Sequence, residues 1–346
     1  MKVAIYTDNH WTQHRSIVRG RGEKYSVSLE NQIESINWVE RLAAQEGCRH
    51  IFCLGDFFDK STLTAEEITA LKDIEWNKNA EHYFIVGNHE MGTNDLTYSS
   101  AHIFESLGFK VFKFVDLIKF NEDIAFIILP YLTKDRRATL EKYKADLTLY
   151  EKANKYIVLS HNDISGIRYG QYVSKDGFDI QDIYDNCDLF INGHLHNQTQ
   201  INDKTINLGN LTGQNFSEDA EKYSHCVAIL ETDTLKLDLI VNPFALNFYK
   251  LEILSEDDFN QLDKCVGKAV LSIKVKEPLI NNLKLKLATY QNIVEYRLIT
   301  LVDVAIAETD TIQQITVTDH ITQFKTYITQ QLGLTDTVVE ELSLLE

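Results

Sequence analysis

Acidic, amide and histidine side chains follow short apolar runs in the first two thirds of this 346-residue chain. They lie in five motifs, in the order DxH, GDxxD, GNH, a single histidine and GHxH. Eight of them are of metal-ligand type: Asp8, His10, Asp56, Asn88, His89, His161, His194 and His196. Carboxylate, imidazole and amide oxygen together suit hard to borderline divalent ions such as Mn²⁺, Mg²⁺, Fe²⁺ or Zn²⁺. The pattern therefore predicts a metal-dependent site.

The number of these groups indicates how many ions they bind. Eight are too many for one ion and about right for two ions that share a carboxylate, an arrangement suited to displacement at phosphorus. Taken singly, His10 could be a turn histidine and Asp56 an ordinary strand ending, but the ordered set favours the metal site. Five scattered cysteines without a CxxC pair argue against a disulfide framework and a structural zinc.

The elements that must position these residues can be predicted from apolar periodicity. Buried strands are predicted over residues 2–8, 50–56, 81–88, 124–132, 156–161 and 189–193. Helices are predicted over residues 28–45 and 64–76, and after residue 189 strand follows strand without helices. Because the carboxyl ends of strands in an open α/β sheet meet at one crevice, we expect the motifs to converge there. The predicted class is α/β with an antiparallel second half.

Composition sets limits on partners and compartment. The chain has 34 basic and 51 acidic residues, a net charge of −17, and 44% apolar residues, which favours a packed core over disorder. A chain this acidic is not expected to bind nucleic acid by bulk attraction, so DNA binding would need a local positive patch. The longest apolar stretch, residues 124–132, is too short to span a bilayer, and no signal peptide is evident. We therefore expect a cytoplasmic protein with no membrane partner.

The five motifs resemble those of calcineurin-like metallophosphoesterases over roughly residues 1–210. The resemblance implies a metallophosphoesterase-type β-sandwich flanked by helices, with two metal sites bridged by Asp56. The first site would be formed by Asp8, His10 and His196. The second site would be formed by Asn88, His161 and His194.

The resemblance also implies roles for the remaining motif residues. The histidine of GNH, His89, would act on the leaving-group oxygen as a general acid rather than bind a metal. Asp59, the second acid of GDxxD, would orient a ligand or a loop. The implied cofactors are two divalent ions, Mn²⁺ first, with Mg²⁺ or Fe²⁺ as alternatives. The implied reaction is phosphoester hydrolysis without a covalent enzyme intermediate.

Three further features resemble the SbcD family, the nuclease subunit that partners an SbcC-type ATPase in bacteria and tailed phages. They are the opening residues 3–10 with an arginine-bearing loop, the segment 207–216 after GHxH, and a small α/β module after the catalytic part. The resemblance, strongest to phage recombination endonuclease subunits, implies a DNA exonuclease or endonuclease in repair, recombination or replication. Implied partners are DNA, an SbcC-like coiled-coil ATPase and a second copy of the chain, paired through helices at residues 28–45 or 99–107.

The predicted domain organisation follows from these features. Residues 1–245 form the nuclease domain, residues 246–315 a small α/β capping domain, and residues 316–346 helices that dock on the ATPase. The alternative explanation of residues 316–346 is a purely structural one, a pair of amphipathic helices packed on their own domain.

The arginine-bearing loop has two explanations. Arg15, Arg19 and Arg21 could touch DNA phosphates beside Asp8 and His10, or they could belong to an ordinary solvated loop.

Two other functions are compatible with the same motifs. One is a stand-alone metallophosphatase or phosphodiesterase that acts on a nucleotide or a phosphoprotein. The other is a metal-free scaffold, against which the intact ligand set argues. Two departures from the commoner family pattern occur, Glu90 after GNH and Ser160 before His161, and neither removes a ligand.

Overall fold

Two six-stranded sheets and one three-stranded sheet account for most of the regular structure. A computed structural model describes residues 1–13, 17–93, 95–149, 152–169, 172–218 and 220–301. The strands are β1 (Lys2–Tyr6), β2 (His50–Cys53), β3 (Glu81–Ile85), β4 (Met91–Thr93), β5 (Asp95–Ser99), β6 (Lys110–Phe112), β7 (Asp116–Lys119), β8 (Ile124–Leu129), β9 (Lys155–Ser160), β10 (Arg168–Tyr169), β11 (Tyr172–Val173), β12 (Leu189–Asn192), β13 (Thr199–Gln200), β14 (Thr205–Asn207), β15 (Cys226–Glu231), β16 (Lys236–Val241), β17 (Leu246–Ile253), β18 (Lys268–Lys276) and β19 (Ile293–Leu301).

Helices connect the parallel strands. The α-helices are α1 (Val27–Gln45), α2 (Ala65–Ala70), α3 (His102–Ser106), α4 (Leu140–Leu147), α5 (Ile180–Asn186) and α6 (Ile280–Leu287). The 3₁₀ helices are Leu71–Asp73, Lys134–Arg136, Glu256–Lys264 and Glu277–Leu279. In the described part of the chain no helix is both long and apolar enough to cross a membrane.

The first sheet has the order β16-β15-β1-β2-β3-β6 and the second β13-β14-β12-β9-β8-β7. Strands β1, β2, β3 and β6 run parallel, as do β8, β9, β12 and β14. The sheets pack face to face, because the inward side chains of both belong to one buried cluster. In β1, Val3 and Ile5 point into this sandwich core, whereas Ala4 and Tyr6 face the α1 side. These strands are buried on both faces, so their side chains are mostly apolar. The polar motif residues lie beyond the strand ends.

Helices cover the outer faces, as the sequence predicts. Leu29, Ile36 and Val39 of α1 pack on the first sheet. Leu140, at the start of α4, and Ile183 of α5 pack on the second. The α/β sandwich flanked by helices is confirmed.

The predicted small α/β module is present from β17 onwards, and we call residues 246–301 the cap module. Its sheet, β17-β18-β19, is entirely parallel, with 3₁₀ and α-helices in the crossovers and its own buried cluster. Residues Met1–Leu301 together form one compact unit. The predicted boundary between residues 245 and 246 stays a prediction, and the predicted helices of residues 316–346 lie outside the described residues.

Several sequence predictions require correction. The second half is not purely antiparallel: β13 turns the chain back, so that β14 runs parallel to β12. The predicted helix 64–76 is shorter, with α2 and a 3₁₀ turn that ends at Asp73. The predicted helix over residues 99–107 is only α3, because β5 extends to Ser99.

Candidate metal centre

The predicted ligands lie in the loops that follow β1, β2, β3, β9 and β12. Asp8, His10 and His196 offer ligand atoms that all lie within 4.8 Å of one another, and we call them the first ligand group. The ligand atoms of Asp56, His161 and His194 meet the same criterion. The structure thus brings together motif residues from both sheets of the sandwich.

Asn88 joins the second set through its amide oxygen. Its Oδ1 lies 2.9 Å from Nδ1 of His194 and 3.3 Å from Nε2 of His161. We call Asn88, His161 and His194 the second ligand group. The amide oxygen and both ring nitrogens therefore point at one small volume.

Asp56 lies between the two groups. Its Oδ2 is 3.1 Å from Nε2 of His161 and 3.9 Å from Nε2 of His10. Its Oδ1 accepts the backbone N–H of His89 at 2.9 Å. Asp56 therefore lies within 4 Å of a histidine from each group, and its bridging role stays a prediction.

The backbone at four of these residues is strained. Asp8, His10, Asp56 and His194 have φ values of 51°, 48°, 48° and 74°, and only one other described non-glycine residue has positive φ. Left-handed conformations are uncommon for residues with a Cβ atom and concentrate at functional sites. The first three are held by loop hydrogen bonds: the N–H of Asp8 donates to O of Gly55, and the N–H of His10 donates to O of Asp56.

Two motif glycines are required by close approach. A Cβ atom on Gly87 would lie 2.1 Å from Oδ1 of Asp56. Gly55 has a φ of 111°, and a Cβ there would lie 2.5 Å from Nδ1 of His161. The glycines of GDxxD and GNH therefore admit the ligand side chains.

Three of the proposed ligand histidines have Nδ1 next to an oxygen of a residue outside the two ligand groups. In His161, Nδ1 lies 2.8 Å from O of Leu54. In His10, Nδ1 lies 3.2 Å from Oδ1 of Asp59, and in His196 it lies 2.9 Å from Oε1 of Glu218. If Nδ1 carries the proton, each ring presents Nε2 as a lone-pair donor to the site, which is the usual support for a metal-binding histidine. Asp59 thus contacts a proposed ligand histidine, and its orienting role stays a prediction.

His194 is oriented the other way. Its Nδ1 faces Asn88, and its Nε2 lies 3.4 Å from Oδ1 of Asp163. Asp163, which follows the motif histidine His161 by two residues, was not predicted as part of the site.

Charge interactions in the site are strong because the groups are buried. Burial disfavours the imidazolium of His10, yet the hydrogen bond to Asp59 and the Asp8 carboxylate 3.7 Å away raise its pKa to about 10. Burial opposes protonation of His161 as well, but the Asp56 and Asp8 carboxylates raise its pKa to about 9. Conversely, the histidines outweigh the burial penalty on Asp8 and lower its pKa to about 2. The metal-free site therefore holds positive charge close to its carboxylates.

The donor set fits divalent ions. Oδ2 of Asp8 accepts hydrogen bonds from Oγ1 of Thr7 and the N–H of His194, at 2.6 and 2.9 Å. Its buried Oδ1 accepts none from the described residues and faces Nε2 of His10 at 3.7 Å. Such a half-satisfied carboxylate among imidazoles suits a metal ligand. Cations held by these groups would supply Lewis acidity, which activates water and offsets charge on phosphoryl oxygens.

His89 is an exposed histidine of the site. Its Nδ1 lies 2.9 Å from O of Asp59, and its ring centroid lies 4.6 Å from that of His10. Ligand atoms of His89, His10 and Asp59 also lie within 4.8 Å of one another, and the role of His89 at the leaving-group oxygen stays a prediction.

Sequence reasoning missed two buried carboxylates. Glu90 accepts the N–H of Gly87 at 2.7 Å and that of Phe58 at 3.2 Å, which ties the GNH loop to the GDxxD loop. Its place directly after GNH was a usable signal. Glu218, which contacts His196, lies in no motif, and nothing in the local sequence marks it.

The arginine loop is only partly described. Arg15 lies outside the described residues. Nη1 of Arg21 contacts Oε1 of Glu66 at 2.7 Å, and the backbone N–H of Arg19 donates to Glu295 of the cap module. A role of these arginines in binding DNA stays a prediction.

Comparisons with known proteins identify a family. The family model described as calcineurin-like phosphoesterase matches residues 1–198, more than half of the chain. No curated protein matches the chain in sequence.

Solved structures give distant matches. A dimetal phosphatase from Danio rerio is 12% identical, covers 70% of this chain and 98% of its own, and has a TM-score of 0.40. The calcineurin-like phosphoesterase YfkN from Bacillus subtilis is 12% identical, with 70% and 88% coverage and a TM-score of 0.36. A 5'-nucleotidase precursor from Thermus thermophilus is 13% identical, with 70% and 54% coverage and a TM-score of 0.39. On the strength of the family match, the chain belongs to the calcineurin-like phosphoesterases, a dimetal-dependent family of phosphoester hydrolases.

Proposed function

We propose that the chain is a DNA phosphodiesterase that uses two divalent ions, Mn²⁺ first, and acts as the nuclease subunit beside an SbcC-like ATPase. The residues proposed as ligands are Asp8, His10, Asp56, Asn88, His161, His194 and His196. His89 is proposed as the general acid at the leaving-group oxygen. Bacterial cytoplasm, including that of a phage host, is the proposed compartment.

The observation that carries the DNA assignment is the place of the cap module. The backbone N–H groups of Gly213 and Ala220 donate to O of Leu246 and O of Phe248 in β17, at 3.0 and 3.2 Å. The loop between them includes Glu218, which contacts His196. A polymer extends beyond its scissile bond and contacts the surface next to the reacting atoms. The cap module supplies such a surface beside the proposed metal centre.

Side chains at this junction suit a nucleic acid. A cavity of about 280 Å³ is lined by residues that include Arg19, Phe216, Tyr296 and Arg297. The guanidinium carbon of Arg297 lies 4.5 Å from the centroid of the Phe216 ring, and Tyr296 is 42% exposed. Arginines that contact phosphates and aromatic rings that stack on bases are the usual elements of single-strand binding.

The net charge of −17 limits how this surface can work. Counterion release requires many cationic contacts, and the chain has an excess of acids. We expect weak DNA affinity for the chain alone and tighter binding when a partner ATPase contributes further contacts.

The alternative is a stand-alone phosphoesterase that acts on a nucleotide or a phosphoprotein. The ion pair of Arg21 with Glu66 favours this alternative, because it pairs with a carboxylate one of the arginines proposed to contact DNA phosphates.

One assay separates these functions. The purified chain with Mn²⁺ is given linear DNA, hairpin DNA, a nucleoside monophosphate and a phosphoprotein, each with and without the candidate ATPase. We expect Mn²⁺-dependent DNA cleavage that increases with the ATPase. Turnover of the monophosphate or the phosphoprotein without DNA cleavage would favour the alternative.

ATPase docking by the chain's last segment is tested separately. Deletion of residues 319–346 is expected to abolish co-purification with the ATPase and to leave Mn²⁺-dependent hydrolysis of a simple phosphodiester intact. Retained co-purification would rule out the docking role.

A further inference from the structure

A buried carboxylate lies directly behind one of the proposed ligands. Glu218 is 1% exposed, and its Oε1 lies 2.9 Å from Nδ1 of His196. The His196 side chain itself is 29% exposed, and its ring centroid lies 4.9 Å from that of His10. The orientation of this imidazole therefore depends on Glu218.

In the described part of the chain, the other hydrogen bonds of the Glu218 carboxylate all come from donors. Nδ2 of Asn210 and the backbone N–H of Gln214 donate to Oε2, at 2.8 and 2.7 Å. Nδ2 of Asn215 donates to Oε1 at 2.9 Å. Both oxygens must accept, which a carboxylate can do and a carboxamide cannot, because its amino group would face donors.

The loop that carries Glu218 joins the metal centre to the cap module. On the metal side, the N–H of Leu211 donates to O of Thr7 at 3.1 Å, and Nε2 of Gln214 donates to O of Asp8 at 3.2 Å. On the cap side, the Phe216 ring centroid lies 5.1 Å from that of Phe248 in β17. Glu218 is thus fixed by both parts of the chain at once.

The geometry points to Glu218 as a positioning residue for the metal site of the first ligand group. It holds the Nδ1–H of His196, so that Nε2 faces Asp8 and His10, and it makes this orientation depend on the seating of the loop against β17. The inference rests on the proposed function in one respect, because it takes the first ligand group as a metal site.

The test measures metal binding, which is independent of the DNA assignment. Mn²⁺ is titrated into wild-type protein and into Glu218→Gln, and binding is followed by calorimetry and by electron paramagnetic resonance of free Mn²⁺. Loss of such a supporting contact typically costs about 10–100-fold in metal affinity. We expect this loss at one Mn²⁺ site and wild-type affinity at the other.

A second buried carboxylate–histidine pair provides the matched control. Glu40 is 2% exposed and lies 3.0 Å from Nε2 of His82, away from both ligand groups. Glu40→Gln is expected to lower the free energy of unfolding and to leave both Mn²⁺ affinities unchanged. Wild-type affinities in Glu218→Gln, or an equal Mn²⁺ loss in Glu40→Gln, would overturn the inference.

Two more measurements keep its failure distinct from other failures. His196→Ala is expected to lose one Mn²⁺ ion; if it binds two with wild-type affinity, the ligand assignment itself fails. If Glu218→Gln does not fold, ¹⁵N spectra of the wild-type histidines with Mg²⁺ decide the matter. A protonated, hydrogen-bonded Nδ1 in His196 supports the inference, and an unprotonated Nδ1 overturns it.

Discussion

The two ligand groups differ in how their histidines are supported. In the first group, Nδ1 of His10 and of His196 contacts a carboxylate, Asp59 and Glu218 respectively. In the second group, Nδ1 of His161 contacts the backbone oxygen of Leu54, and His194 has a carboxylate, Asp163, 3.4 Å from its Nε2. A carboxylate makes an imidazole more basic and can be removed by substitution. A backbone carbonyl carries no net charge, and a side-chain substitution does not remove it. Carboxylates therefore support Nδ1 of both histidines in the first group, whereas in the second group the backbone holds His161 and a carboxylate contacts only His194, at Nε2.

The largest effect is expected where the two groups meet. Asp56→Asn removes the charge that faces His161 and His10, so both metal sites should weaken together. We expect loss of both ions on dialysis and a fall in kcat/KM on a simple phosphodiester of about 10³-fold or more, since metal ions contribute several kcal/mol to transition-state stabilisation. Metal content by mass spectrometry and steady-state kinetics measure the two effects. Retention of two ions would show that Asp56 does not join the groups.

His89 tests the distinction between metal ligands and the residue that faces the substrate. His89→Ala should lower kcat by about 10²–10⁴-fold, the usual contribution of a general acid, while both ions remain bound. The same variant should lose less activity on a substrate with a good leaving group, which needs little protonation. Loss of metal in this variant, or unchanged cleavage, would contradict the proposed role.

Asp59 tests the carboxylate support of the first group alone. Asp59→Asn keeps the size of the side chain but removes the charge next to His10, so one Mn²⁺ site should weaken by about tenfold. The backbone oxygen of Asp59 that contacts His89 is unaffected, and the general-acid position should persist. Calorimetric titration checks this result, and weakening of both sites would show that the groups do not differ as proposed.

The smallest expected effect is a release of protons. The pKa of His10 is raised to about 10 and that of His161 to about 9, so both rings are protonated at pH 7 in the metal-free protein. Metal binding requires neutral imidazole, so it should expel about two protons and strengthen as pH rises through these values. Titration in buffers of different ionisation enthalpy counts the protons. An enthalpy that is independent of the buffer would contradict the predicted charge state.

Sequence reasoning predicted which motif residues follow parallel strands, because the geometry of a parallel sheet determines where such residues lie. Asp8, Asp56 and Asn88 follow successive strands, and parallel strands bring their carboxyl ends to one edge of a sheet. It predicted strands that continue through Asp8 and Asp56, whereas their φ values of 51° and 48° exclude a strand. Residue type alone does not reveal a left-handed backbone.

Other features depend on tertiary contacts that no local pattern carries. Glu218 contacts His196 across 22 positions of the chain, with no spacing that marks the pair. The parallel pairing of β14 with β12 depends on the short strand β13, which is two residues long. Such features become visible only once the chain is folded.

The ligands of the first group come from both sheets: Asp8 follows β1 of the first sheet, and His196 follows β12 of the second. An ion bound there would tie the two halves of the sandwich, and its binding free energy would count toward folding. At a free metal concentration of 100 times Kd, one such ion would stabilise the folded chain by about 2.7 kcal/mol. Chelation should therefore lower the melting temperature, and metal supply would set the chain's resistance to heat and proteolysis.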